Sequence, residues 1–124
     1  MSSRVTIRAA TVLDAPALTL LVRDLGYPAE PDLVAAALGP LLEEPGCAVL
    51  VAVDETRGIL GLVALSSHPV LRLQGVAGRI EELVVRPDAR AGGLGTKLLQ
   101  YAKGLAVECR PAALRDDDGH VNLG

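Results

Sequence analysis

Residues 84–99 read VVRPDARAGGLGTKLL, and this stretch decides the fold. It predicts an apolar strand that enters a basic, glycine-rich turn, with a helix that begins inside the turn. Such a junction directs several backbone N–H groups without helical partners at one place, and the helix dipole adds partial positive charge there. Glycine lets an anionic group approach these amides closely. The stretch therefore predicts a binding site for a phosphate or pyrophosphate.

Three glycine motifs compete for this turn. A P-loop requires a Gly-Lys pair, but Lys97 follows Thr96. A dinucleotide-binding G-x-G-x-x-G fails because position 98 is a leucine and because the turn comes late in the chain. An R-x-x-G-x-G pattern is matched by Arg90, Gly93 and Gly95. Turn chemistry without a ligand would also account for the glycines.

The composition fits one compact domain, residues 1–124, that binds a small polyanion. The 124 residues are 50% hydrophobic, which is enough for a core, but only 2% aromatic, which leaves no platform for stacking nucleic-acid bases. The net charge is −3, whereas a nucleic-acid-binding protein carries a basic excess. Half of the 12 Lys and Arg residues nevertheless lie between Arg79 and Arg110. A solvated face allows this clustering, and an anion-binding rim predicts it.

Targeting signals and cysteine spacing indicate the cellular compartment that we expect for this protein. No apolar targeting core or membrane-spanning run occurs in the sequence, so we expect a cytoplasmic protein without a membrane partner. The two cysteines, Cys47 and Cys109, have no metal-ligand spacing and no C-x-x-C partner. We therefore expect reduced, buried thiols and no metal site.

Hydrophobic periodicity predicts the element order β-α-α-β-β-β-α. A first strand alternates over 5–8, and two helices follow, ending at a Gly-Tyr-Pro turn and a Glu-Glu-Pro-Gly turn. The run 47–53 is apolar on both sides and predicts an interior strand, with 59–65 as its antiparallel partner. A loop is expected from His68-Pro69 to Gly75, then a strand over 76–86 and a helix from Leu94.

This order, together with the R-x-x-G-x-G turn, resembles the GNAT family of Gcn5-related N-acetyltransferases. The resemblance implies an α+β, three-layer fold with a mixed, mainly antiparallel sheet flanked by helices. It implies transfer of an acetyl group from acetyl-CoA to an amine by direct attack in a ternary complex. It also implies a pantetheine contact on Leu83, Val84 and Val85, and a pyrophosphate site at Arg90, Ala91, Gly92, Gly93, Leu94, Gly95, Thr96 and Lys97.

The resemblance further points to an acidic residue on the strand before the turn, where Glu81 and Glu82 stand. Consecutive strand residues point to opposite faces unless a bulge intervenes. We prefer Glu82 slightly as the base, and the other glutamate is expected to be solvated or to pair with Arg79.

Tyr27 and Glu30, between the first two helices, are the candidate acceptor contacts that the resemblance implies. The alternative for Tyr27 is packing beside the Gly-Pro turn, and that for Glu30 is capping of the second helix. His68 is another candidate base, although its place beside Pro69 is typical of a loop residue.

Family members continue well beyond the helix that follows the turn, with a splayed strand and a later helix that often carries a tyrosine. Here residues 110–124 predict a short, disordered tail, and no tyrosine follows Tyr101. The strand 76–86 would then end the sheet as an open edge, so we expect a homodimer through that edge. The alternative function is a catalytically incomplete module that binds coenzyme A or only dimerises.

Overall fold

The computed structural model describes residues 4–109, with side chains except at positions 73, 76, 91 and 104–109. The expected tail, residues 110–124, lies outside the described residues. Four antiparallel strands form one sheet in the order β1-β2-β3-β4. The strands are β1 (Val5–Ala9), β2 (Cys47–Asp54), β3 (Gly58–Val70) and β4 (Gly75–Val85), and the helices are α1 (Ala15–Asp24), α2 (Pro31–Glu43) and α3 (Leu94–Cys109).

The element order is the predicted β-α-α-β-β-β-α, and the α+β architecture is confirmed. Within residues 4–109 no helix is both long and apolar enough to cross a membrane. Short 3₁₀ turns link the elements at Val12–Asp14, Leu71–Leu73 and Pro87–Gly92.

The sheet separates two hydrophobic cores, because its central strands are apolar on both faces. On one face, Leu50, Val63 and Ile80 pack with α3 through Leu94 and Leu98. On the other, α1 and α2 cover a second cluster. The prediction that 47–53 is an interior strand is thus confirmed, since alternate residues of β2 enter opposite cores. The second cluster contains Ala10, Leu18, Leu21, Leu38, Val49, Val51, Leu62, Ala64 and Val84.

The connection from β1 to α1 is fixed by a buried carboxylate. Arg8 donates from Nη1 to Oδ2 of Asp14 at 2.8 Å and from Nη2 to Oδ1 at 2.9 Å, and the Thr11 backbone N–H donates to Oδ2 at 2.8 Å. Hydrogen bonding to Arg8 is the main reason that the pKa of Asp14 lies below its usual value. Asp14 therefore holds the chain entering α1.

The prediction of a loop from His68-Pro69 to Gly75 is wrong in its first part. β3 continues through Pro69 to Val70, and β4 begins at Gly75. β2 ends its pairing where Cys47 faces Ser66, so one side of β3 is an edge from that point on. A proline at an edge removes no ladder hydrogen bond, which is why the strand tolerates Pro69.

One extra residue interrupts the pairing of β4 with β3. The register passes from Ala64–Glu82 to Leu65–Ile80, so Glu81 is left out of the residue-by-residue pairing of β4 with β3. This β-bulge changes the alternation of β4, which affects the site described below.

Gly61 lies where α3 packs tightly against the sheet. A Cβ at this position would lie 3.0 Å from the backbone oxygen of Val84, 3.1 Å from Cδ1 of Leu98 and 3.3 Å from Cγ2 of Val85. Gly39, inside α2, has nothing within 4 Å of its Cβ position. The same substitution, glycine to alanine, can therefore be compared at a crowded position, Gly61, and at an open one, Gly39.

We predict that Gly61→Ala lowers the free energy of unfolding by about 1–3 kcal/mol, because the added methyl group overpacks the interface of α3 with the sheet. Gly39→Ala should raise it by about 0.5–1 kcal/mol, because alanine restricts the unfolded chain and suits a helix. Denaturant titration of both variants measures the two changes. Equal effects at the two positions would contradict the close packing at Gly61.

Candidate functional site

The turn between β4 and α3 presents backbone amides to open space. Gly93 has a φ of 74°, a left-handed conformation that favours glycine, and the Lys97 N–H donates to the Gly93 carbonyl at 3.1 Å. The amides of Leu94, Gly95 and Thr96 precede that first helical bond and so have no acceptor within the helix. The turn therefore has the donors that an anion requires.

The glycines of the turn leave room for such a ligand. At Gly92 and Gly93 an added Cβ would meet nothing within 4 Å. At Gly95 it would meet only Cγ2 of Val85, at 3.8 Å, which is ordinary contact. The Cβ positions of Gly92 and Gly93 are therefore uncrowded, which leaves space beside the backbone amides of the turn.

The first residues of the turn are fixed by two arginines around one carboxylate. Arg86 donates to both oxygens of Asp88, at 3.1 and 2.8 Å. Arg57, from the β2–β3 turn, lies 3.3 Å from Oδ2 of Asp88 and donates to its backbone oxygen at 3.2 Å. A planar guanidinium that meets a carboxylate with two bonds adds geometric specificity, so this cluster orients the chain where it leaves β4.

The predicted cationic contacts occupy different positions. Nε of Arg90 donates to the Val85 carbonyl at 2.9 Å, so this side chain folds back onto the end of β4. Lys97 is exposed in the first turns of α3. Both are close in sequence to the open amides.

The segment Leu83–Val85 lies at an edge of the sheet. β4 pairs with β3 on one side, and in the part of the chain that the structure describes no strand lies on its other side. An edge strand offers backbone N–H and C=O groups to an extended, amide-containing ligand or to another strand.

Glu81 and Glu82 line the same cavity because of the bulge. The cavity has a volume of about 340 Å³ and is lined by α1, the loop after it and β4. We call it the Glu82 cleft; its lining residues are Val22, Leu25, Tyr27, Glu81, Glu82 and Leu83.

The two glutamates differ in their surroundings. Glu82 is partly buried, whereas Glu81 is exposed and accepts a hydrogen bond from Oγ of Ser66 at 2.7 Å. Burial, and secondarily the charge of Glu81, raises the pKa of Glu82 above its ordinary value. A carboxylate with a raised pKa in a cleft is a better proton acceptor than an ordinary surface glutamate.

The remaining candidates lie in different places. Tyr27 lies in the cleft, with 65% of its surface exposed. Glu30 is at the start of α2, 3.5 Å from Nη2 of Arg23, and is not among the residues that line the cleft. It has the N-cap position of α2 but makes no side-chain capping bond. His68 is on β3 opposite Ala77 and does not line the cleft.

Sequence reasoning missed three groups that shape this site. Val22, on α1, and Leu25, directly after it, line the cleft, and Ser66 donates a hydrogen bond to Glu81 from the neighbouring strand. Pairing across strands, which brings Ser66 near Glu81, leaves no local signal in the sequence.

Two other chemistries have no support in the described residues. Burial, followed by the charges of Glu44 and Glu81, raises the pKa of the Cys47 thiol, which disfavours the nucleophilic thiolate. Within residues 4–109, no group of three or more His, Cys, Asp or Glu side chains is arranged to hold a metal ion.

Comparison with protein families identifies the architecture. The model described as the "Acetyltransferase (GNAT) family" matches residues 15–115, which is more than half of the chain. No curated protein matches the sequence.

Solved structures agree with this fold. A GNAT family acetyltransferase from Staphylococcus aureus is similar with a TM-score of 0.77 and 22% identity, over 87% of this chain and 81% of that one. A glucosamine-6-phosphate N-acetyltransferase from Arabidopsis thaliana is similar with a TM-score of 0.78 and 18% identity, over 98% of this chain and 80% of that one. A ribosomal-protein-alanine N-acetyltransferase from Brucella melitensis is similar with a TM-score of 0.68 and 20% identity, over 84% of this chain and 72% of that one.

We predict that Glu82→Gln is more stable than the parent protein at neutral pH. A raised pKa means that the folded state binds the proton more tightly, so the parent loses stability as pH rises above the ordinary glutamate value of 4.5. Glutamine carries no charge to bury, and its advantage should disappear below that pH. Denaturant titrations from acidic to neutral pH measure the difference.

Glu55→Gln, at an exposed position in the β2–β3 turn, is the control and should stay within about 0.5 kcal/mol of the parent. A less stable Glu82→Gln at neutral pH would instead mean that the ionised carboxylate makes a stabilising contact.

Proposed function

The chain belongs to the GNAT acetyltransferase family, and on this premise we propose that it is an N-acetyltransferase that moves the acetyl group of acetyl-CoA to an amine by direct attack. Membership by itself implies acyl transfer from an acyl-CoA donor. One observation carries the finer proposal. The partly buried carboxyl group of Glu82 lines a cleft on the strand that leads into the amide-rich turn.

The turn and the strand edge would hold the donor. The residues from Arg90 to Lys97 would bind its pyrophosphate through the open amides of α3, with charge added by those two side chains. The outer edge of Leu83–Val85 would pair with the peptide-like pantetheine arm. When bound, acetyl-CoA supplies the thioester whose acetyl group the amine receives. A backbone N–H of the same edge would stabilise negative charge on the carbonyl oxygen.

Glu82 would act as the base for the acceptor. An alkylamine has a pKa of about 10 and is mostly protonated at neutral pH, so it must lose a proton before it attacks. Glu82 would take that proton directly or through a water molecule. Burial, and secondarily the charge of Glu81, raises the pKa of Glu82, and Ser66 holds the Glu81 carboxylate by a hydrogen bond.

The cleft would also position the acceptor. Tyr27 and the apolar side chains of Val22 and Leu25 would contact it beside Glu82. We retain Glu30 as an acceptor contact at the outer end of this loop, where Arg23 holds it near the Ala29 carbonyl.

We predict that acetyl-CoA raises the unfolding temperature, since a ligand at about 100 times its Kd stabilises the folded state by roughly 2.7 kcal/mol. Gly95→Glu should abolish this shift, because its carboxylate would repel the pyrophosphate. The variant should still fold, because a negative charge suits a helix N-terminus. Gln100→Glu makes the same change of charge at an exposed position farther along α3 and should keep the shift. Thermal unfolding measures all three proteins.

Turnover is measured by release of the free thiol of coenzyme A with a panel of amines. Glu82→Gln should keep the acetyl-CoA shift and lose about 10²-fold or more in kcat, the usual contribution of a general base. Absence of any shift in the parent protein would overturn the proposed donor site. A shift without thiol release would instead support the alternative of a coenzyme A-binding module.

We also propose a homodimer in which the first part of β4, Gly75–Ile80, pairs with the same strand of a second copy. The bulge at Glu81 separates this part from Leu83–Val85, which then remains available to the donor. Sedimentation equilibrium should give twice the monomer mass, and amides of the paired edge should exchange slowly. A monomer at every accessible concentration would contradict this arrangement.

A further inference from the structure

A second cavity adjoins the Glu82 cleft and is almost entirely apolar. It has a volume of about 160 Å³ and lies between α1, α2 and the sheet. Its interior is formed by side chains that include Leu18, Leu38, Val49 and Leu62, all of them buried. The one charged residue in its wall is Glu82.

Val22 and Glu82 line both cavities. Because Glu82 itself stands in the wall of the second cavity, a molecule with its apolar end in that cavity can place a polar end at this carboxyl group. Ala37 and Leu41 of α2 also line the second cavity, and both are exposed.

The size of the cavity limits what can fill it. An enclosed apolar cavity of about 150 Å³ holds benzene, so this half-open cavity of about 160 Å³ has room for a ring of that size. A polar group would enter this space without hydrogen-bond partners, which is costly. An apolar group of the size of a phenyl ring fills the cavity, and its burial removes apolar surface from water.

We infer that the acceptor is a primary amine that carries a phenyl-sized apolar group, with the amine at Glu82 and the apolar group in the cavity between α1 and α2. The inference rests on the proposed function, because it places the acceptor of that reaction. It assigns specificity to residues of α1 and α2 that the general chemistry of acetyl transfer does not use. Opposite charge at Glu82 and apolar walls beyond it select for both halves of the molecule.

Direct binding tests this inference without acetyl-CoA. Benzylamine, ethanolamine and toluene are titrated into the protein, and the affinity is measured by calorimetry. Benzylamine should bind about tenfold or more tightly than ethanolamine, because burial of a phenyl group is favourable. Glu82→Gln should weaken the binding of benzylamine and leave the affinity for toluene unchanged.

A matched pair of variants locates the apolar group. Ala37 and Ala36 are neighbouring exposed residues of α2, but only Ala37 lines the cavity. Ala37→Phe should fill the cavity and lower the affinity for benzylamine about tenfold or more. The Ala36→Phe variant should bind benzylamine with the affinity of the parent protein. Both positions are exposed, so both variants should fold.

Equal affinity for benzylamine and ethanolamine, or equal effects of the two phenylalanine variants, would overturn the inference. The proposed function fails separately. If benzylamine binds with this pattern but acetyl-CoA neither binds nor releases thiol, the cavity assignment holds and the transferase proposal does not. If thiol is released equally with benzylamine and ethanolamine, the transferase holds and the acceptor class is wrong.

Discussion

One extra residue in β4 is the constraint on which the candidate site depends. Ile80 and Leu83 both face α3, yet they are three residues apart, whereas a regular strand returns to the same face every two. The bulge at Glu81 absorbs the difference, so Glu82 and Val84 face α1 and α2. Without it, a one-residue slip would send either Ile80 or Glu82 to the wrong face, and a carboxylate would enter an apolar core. Packing of the core thus determines where the carboxyl group lies.

Most of the fold could be predicted because its signals are local. The apolar run that contains Val49, Leu50 and Val51 indicates burial on both faces, and Gly93 marks the start of α3. Pro69 misled the prediction because the rule against proline applies inside a sheet. Whether Pro69 lies at an edge depends on where a different strand ends, and no local pattern records that.

Three of the candidate residues from the sequence, Glu81, Glu82 and Tyr27, line one cleft in the structure, and their roles stay predictions. The fourth candidate, Glu30, is not among the residues that line the cleft, and its carboxylate lies 3.5 Å from Nη2 of Arg23. The uneven spacing of Ile80 and Leu83 was a readable sign of the bulge. The apolar cavity beyond Glu82 forms only when two helices cross the sheet, so it has no signal in any one segment.

The cluster of Arg57, Asp88 and Arg86 has a consequence for kinetics. It ties the turn after β4 to a hairpin that lies 31 residues earlier in the chain. A turn that the protein's own side chains already hold in place spends little binding free energy on becoming ordered. If the turn binds an anion as proposed, association would be limited by encounter and electrostatic steering rather than by rearrangement of the turn. The β2–β3 hairpin, which has no role in the chemistry, would in this way govern how quickly a ligand arrives and how long it stays.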